Sequence, residues 1–112
     1  VNYRNTSVGT GSAAEQVVPL NGLFVVPKGS TLALNGYVVS TDGPVTVRLR
    51  EDSVTGPIVM ELEFPSKALI GGDIIAALEF IAVQAAKTLV VTEEGQYRNV
   101  TLLTGMLRAN KP

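Results

Sequence analysis

The chain has 112 residues, nine Lys and Arg against ten Asp and Glu, a net charge of −1, and no histidine, cysteine or tryptophan. Without His or Cys it has no Ser-His-Asp or Cys-His nucleophilic machinery, no thiolate or imidazole metal site and no disulfide. Its basic residues are scattered rather than clustered, which argues against nucleic-acid binding and against binding to an anionic membrane surface. The length fits one domain that can bury a core without staples. A hydrophobic fraction of 46% with only 17% charged residues points to a dense core or to apolar surface covered in an oligomer. No apolar run approaches a membrane span.

In chain order, residues 1–14 (VNYRNTSVGTGSAA) are polar and rich in Gly, Ser, Thr and Asn, with no sustained apolar period. They read as a flexible N-terminal arm, either loose or ordered along a neighbouring subunit as an added strand. Residues 15–112 read as the folded domain. Gln16 to Leu20 ends at Asn21-Gly22, a dipeptide in which both residues tolerate positive φ. Leu23 to Val26 runs into the turn Pro27-Lys28-Gly29-Ser30. Thr31 to Leu34 and Tyr37 to Val39 flank Asn35-Gly36, which reads as a bulge or a tight turn. Thr41-Asp42-Gly43-Pro44 is a further turn.

Val45 to Arg50 alternates strictly: Val45, Val47 and Leu49 on one face, Thr46, Arg48 and Arg50 on the other. After the loop Glu51–Pro57, Ile58, Met60, Leu62 and Phe64 share a face opposite Val59, Glu61 and Glu63. This period of two marks half-buried antiparallel strands. A hairpin about Val54-Thr55 would set Arg48 opposite Glu61. Residues 73–87 fit two periods. Ile74, Ile75, Leu78, Ile81, Ala82 and Ala85 make a helical face, whereas Leu78, Phe80 and Ala82 alternate as in a strand. A strand over Ala77–Gln84 is preferred because the neighbouring segments are strand-like. Thr88 to Thr92 is a strand, Glu93-Glu94-Gly95 a turn, and Tyr97 to Leu107 the last strand. About eight strands with regular turn signals predict an all-β fold, a single jelly-roll-like antiparallel β-sandwich.

Carboxylate chemistry is the reaction class the composition leaves open. Glu61, Glu63 and Glu79 read as solvated strand residues, and Asp42, Asp52, Glu93 and Glu94 as ordinary turn residues. No catalytic residue, cofactor or metal site is assigned. Tyr97-Arg98-Asn99 joins an aromatic ring to polar side chains on a folded element, so these three are the candidate glycan-binding residues of a carbohydrate-binding module in an adhesin or tail fibre. Asn5-Thr6-Ser7 and Asn99-Val100-Thr101 match the N-glycosylation tripeptide, which is common by chance.

The small Val- and Thr-rich jelly-roll-like domain without Cys, the arm VNYRNTSVGTGSAA and the short basic tail Leu107-Arg108-Ala109-Asn110-Lys111-Pro112 together resemble the decoration, or cement, proteins on capsids of short-tailed double-stranded DNA bacteriophages. The resemblance covers the whole chain and rests on layout. It implies a virion protein on the outer capsid surface that binds the major capsid protein and staples neighbouring coat subunits, as a homodimer or a trimer. The family offers no motif to transfer residue by residue, so the candidate contacts are Tyr3, Arg4 and Asn5 of the arm.

Overall fold

Val, Leu, Ile and Thr recur at every second position through most of the chain, and a backbone with that pattern buries one face by pairing into sheets. A computed structural model of the protein describes residues 1–111, without the side chain of Ala76. Its strands are β1 (Asn2–Gly9), β2 (Ser12–Val17), β3 (Leu23–Val26), β4 (Ser30–Thr41), β5 (Val45–Glu51), β6 (Ile58–Phe64), β7 (Ala68–Ala82), β8 (Lys87–Gly95) and β9 (Asn99–Ala109). The pairing is nested and antiparallel. β5 pairs with β6, β4 with β7, both β2 and β3 with β8, and β1 with β9. This long ribbon folds over itself into two sheets, β1-β9-β4-β7 and β2-β8-β5-β6, with β3 also on β8. That strand order is a jelly roll, in which C-terminal strands complete sheets begun near the N-terminus. The all-β sandwich expected from the alternation is what the chain forms.

The core lies between the sheets. Leu32, Leu34 and Val39 of β4 meet Val45, Val47 and Leu49 of β5, with Phe80, Leu89, Val91 and Leu103 filling the layer. Dry packing of this kind is worth about 1.5–3 kcal/mol per large apolar side chain.

Several expectations change. Residues 1–14 do not form a free arm. β1 is hydrogen-bonded along its length to β9, from Asn2 opposite Met106 to Gly9 opposite Asn99. Its Tyr3 and Ser7 are buried. The cause is hidden in the alternation of YRNTSVG: Tyr3, Ser7 and Gly9 face inward, and two of these three are small enough to lie against the sandwich without signalling hydrophobicity. Asn35-Gly36 is a bulge inside one twelve-residue strand, because the register with both neighbours shifts between Leu34 and Gly36. β8 runs through Glu93-Glu94-Gly95, which had read as a turn; the reversal comes at residues 96–98. The strand preferred for Ala77–Gln84 is present and longer: β7 starts at Ala68 and ends at Ala82. A second bulge, between Leu49 and Arg50, sets Ile58 opposite Arg50. Ile58 is therefore exposed while Met60, Leu62 and Phe64 keep the inward face. The hairpin register otherwise matches the reading: Arg48 lies opposite Glu61.

Candidate functional site

The two sheets carry outer faces of opposite chemistry. On the outer face of β2-β8-β5-β6, inward Val47 and Leu49 force Arg48 and Arg50 outward, among carboxylates from three other strands. Arg48 Nε donates to Glu61 Oε1 at 2.6 Å and its Nη1 to Glu94 Oε1 at 2.8 Å. Arg50 grips Glu15 with two parallel bonds, Nε and Nη2 each donating at 2.8 Å. Arg48 Nη1 also lies 3.3 Å from Glu15. The Arg50 guanidinium, helped by the Thr92 hydroxyl and the charge of Arg48, holds the Glu15 carboxyl below its ordinary value, against the opposing effect of burial. The same bonds raise both guanidinium groups above their ordinary values. This network leaves Glu63 as the exposed carboxylate of β6 with no ion pair among the described residues, and it ties β2 to the sheet at the point where β2 and β8 lose regular register.

The outer face of β1-β9-β4-β7 is different. Leu69, Ile81, Met106 and Val38 are exposed there, among Val8, Val100 and Leu102. Gly36, Gly71 and Ala33 keep the middle of the face low. Its charges are few. Arg108 donates to Glu79 at 2.8 Å, and among the described residues Arg4 and Asp73 form no ion pair within the protomer.

The candidate residues separate on this framework. Tyr3 is not available to a partner: its ring packs against Phe24 at 4.9 Å between centroids, and burial pushes its phenol up to about 12. Asn5 is held in place, since its Nδ2 donates to the Asn21 carbonyl at 3.0 Å. Arg4 alone of the three points to solvent. In the second cluster Tyr97 and Arg98 are exposed at the turn between β8 and β9, but Asn99 is buried. The Tyr97 ring lies flat against Gly43, where a Cβ would stand 2.5 Å from ring carbons. The Asp42 amide donates to the Arg98 carbonyl at 3.0 Å, so the two turns brace each other. A glycan site at this tip would therefore use Tyr97, Arg98 and Asp42 without Asn99. Of the two glycosylation tripeptides, the acceptor Asn99 is buried in the fold, and Asn5 is half-buried with its side-chain amide donating to the Asn21 carbonyl.

Glu93 was missed as a structural group. It sits fully buried at the end of the sandwich and accepts three hydrogen bonds: from the Gly11 amide at 2.8 Å, Asn99 Nδ2 at 2.9 Å and Gln16 Nε2 at 2.9 Å. Gly11 makes this approach with φ of 95°, a conformation that disfavours side chains. The signal was its phase: Leu89, Val91 and Glu93 share one face if the strand continues through 93. Of the remaining carboxylates, Glu61, Glu79 and Glu94 pair with arginines, and Asp42 and Asp52 sit at turns. Among the described residues no group of three or more Asp or Glu is placed to hold a metal ion, and no helix is long and apolar enough to cross a membrane. No family model, curated protein or solved structure matches the chain.

Proposed function

We propose that this protein is a non-enzymatic structural module that binds the outside of an assembled viral capsid and staples neighbouring coat subunits. The observation that carries the reading is the contrast between the two outer faces of a stiff jelly roll. One has its arginines tied up in ion pairs with its own glutamates; the other carries fewer charges and exposes Val38, Leu69, Ile81 and Met106. A sandwich locked by nested strands resists shear, as an external clamp on a pressurised shell must. An open apolar face supplies adhesive area, since exposed patches beyond a few hundred Å² mark interaction surfaces. Spread over several coat subunits, weak contacts gain about 10²–10⁴ in avidity when geometry allows simultaneous engagement. The whole outer face replaces the arm as the adhesive element of this reading, with Arg4 the one surviving contact from residues 1–14.

The test is co-sedimentation with phage shells that lack an external protein. Saturable binding with raised resistance of the shell to heat or chelation supports the reading, and recovery of all the protein in the supernatant overturns it. A second reading, a carbohydrate-binding module, is favoured by Tyr97 seated on Gly43 beside Arg98 and Asp42. It requires a glycan-array signal that Tyr97→Ala abolishes; an array at background removes it.

A further inference from the structure

We infer that the outer face of β2-β8-β5-β6 carries a binding site for a lysine side chain of a partner polypeptide, set between Glu63 and Glu94. An open cleft of about 760 Å³ lies at the end of this face where β5 begins and β8 ends. That is the size of a small-ligand site. The register builds its floor. Thr46 of β5 lies opposite Glu63 of β6 on one side and opposite Glu94 of β8 on the other. Val45 and Val47 are buried in the core, so this row of three side chains stands on the outer face.

Two strand spacings put the Glu63 and Glu94 backbones roughly 10 Å apart, which leaves room for one small cation above Thr46. An alkylammonium group has three N–H donors. The row offers three acceptors: the Glu63 carboxylate, the Glu94 carboxylate and Thr46 Oγ1. Glu63 forms no ion pair among the described residues. Glu94 accepts from Arg48 through Oε1 at 2.8 Å, and its Oε2 is left for a ligand. The charge balance favours a cation. Glu15, Glu61, Glu63 and Glu94 face only two guanidinium groups, and Arg48, which borders the cleft, is already held by three of these carboxylates. The chain does not fill the gap itself: Lys67, just past the cleft residue Pro65, forms no ion pair among the described residues.

The remaining lining suits a lysine stem. Pro44, Pro65 and Ala13 supply apolar surface along which methylenes lie while the charged head reaches the carboxylates. The compact ammonium, with donors that rotate, matches acceptors spread over three strands better than the fixed planar fork of a guanidinium. A divalent metal ion asks for six or more oxygens, and among the described residues no third Asp or Glu joins these two. Because β6 is an edge strand, a polypeptide can approach Glu63 from the side.

The cleft lies on the face opposite the one given to coat subunits, so this inference goes beyond the stapling reading. It is measured with no shell present, and either can fail without the other. The experiment is an amide NMR titration of the full chain at low salt with the peptide acetyl-Gly-Lys-Gly-amide. Saturable shifts are expected at Thr46, Glu63, Glu94 and their neighbours, with a Kd on the order of 1 mM. The same peptide with its lysine Nζ acetylated is expected to give none. Glu63→Gln is expected to raise the Kd about fivefold and Thr46→Val about threefold. Asp73→Asn removes a carboxylate from the opposite face and is expected to leave the Kd unchanged. A response that does not saturate overturns the proposal. So does an acetylated peptide that binds as well, a comparison that needs only the native chain, or an Asp73→Asn that costs as much as Glu63→Gln. Tighter binding of the arginine peptide, or of spermidine, than of the lysine peptide also overturns it.

Discussion

Glu93 shows how one side chain closes an end of the sandwich. Its carboxylate holds the Gly11 amide of the β1–β2 turn, Gln16 of β2 and Asn99 of β9 at once. Removing it leaves three donors facing a dry space, each costing about 1–3 kcal/mol unless water enters. We expect Glu93→Ala to lower stability by about 3 kcal/mol, read as a fall in the urea midpoint at unchanged slope. Glu15 works at the surface and is tested by pH. Its carboxyl is held below the ordinary value in the folded state, first by its hydrogen bonds to Arg50. The unfolded chain therefore takes up that proton first as pH falls. Its contribution is present above the unfolded carboxylate value and is lost as pH drops toward the folded one. Glu15→Gln is expected to flatten the acid side of the stability–pH curve. Parallel curves for the two proteins would show that Arg50 does not hold Glu15 in this way.

At the scale of elements, β1 and β7 occupy the two edges of one sheet by different means. β1 is polar, yet it supplies Tyr3 against Phe24 and Ser7 Oγ donating to the Thr101 carbonyl at 3.2 Å. Deleting residues 1–9 should therefore abolish cooperative folding, visible as lost dispersion in the proton NMR spectrum. A truncated chain with native dispersion would restore the reading of residues 1–14 as a free arm. β7 is long and apolar, a kind of edge that invites unwanted pairing. Its ladder is interrupted where Asp73 lies opposite Gly36 and Leu78 opposite Leu34, so that residues 74–77 stand against Asn35 alone. That irregularity blunts the edge, and it leaves the Ile75 side chain almost fully exposed.

For the whole molecule, nested pairing means that nearly every strand finds a partner far along the chain. β1 must close on β9 across the full length of the sequence. Loop closure precedes the reward of such contacts, so we expect refolding after a denaturant jump in milliseconds to seconds, as for other β-rich two-state domains. A microsecond refolding phase carrying the full amplitude would contradict the nested topology. The same nesting threads the chain back and forth between the two sheets, so each outer face is backed by the packed core they share.

The alternation in Val45–Arg50 and Ile58–Phe64 was enough to read the all-β class and the register of Arg48 against Glu61, because a period of two is a local property of the backbone. So were Asn21 with φ of 59° at its turn and the reversal at Pro27–Ser30. The place of β1 and the burial of Glu93 were not legible, because each depends on neighbours tens of residues away that supply the missing hydrogen bonds, β9 for the one and Gly11 and Gln16 for the other. Asn99 is then buried as the donor that Glu93 requires. The contrast between the outer faces likewise appeared only when strand order placed Val38, Leu102 and Leu69 side by side. Single residues in a sequence state their own polarity, but a surface is made by the neighbours that pairing brings together.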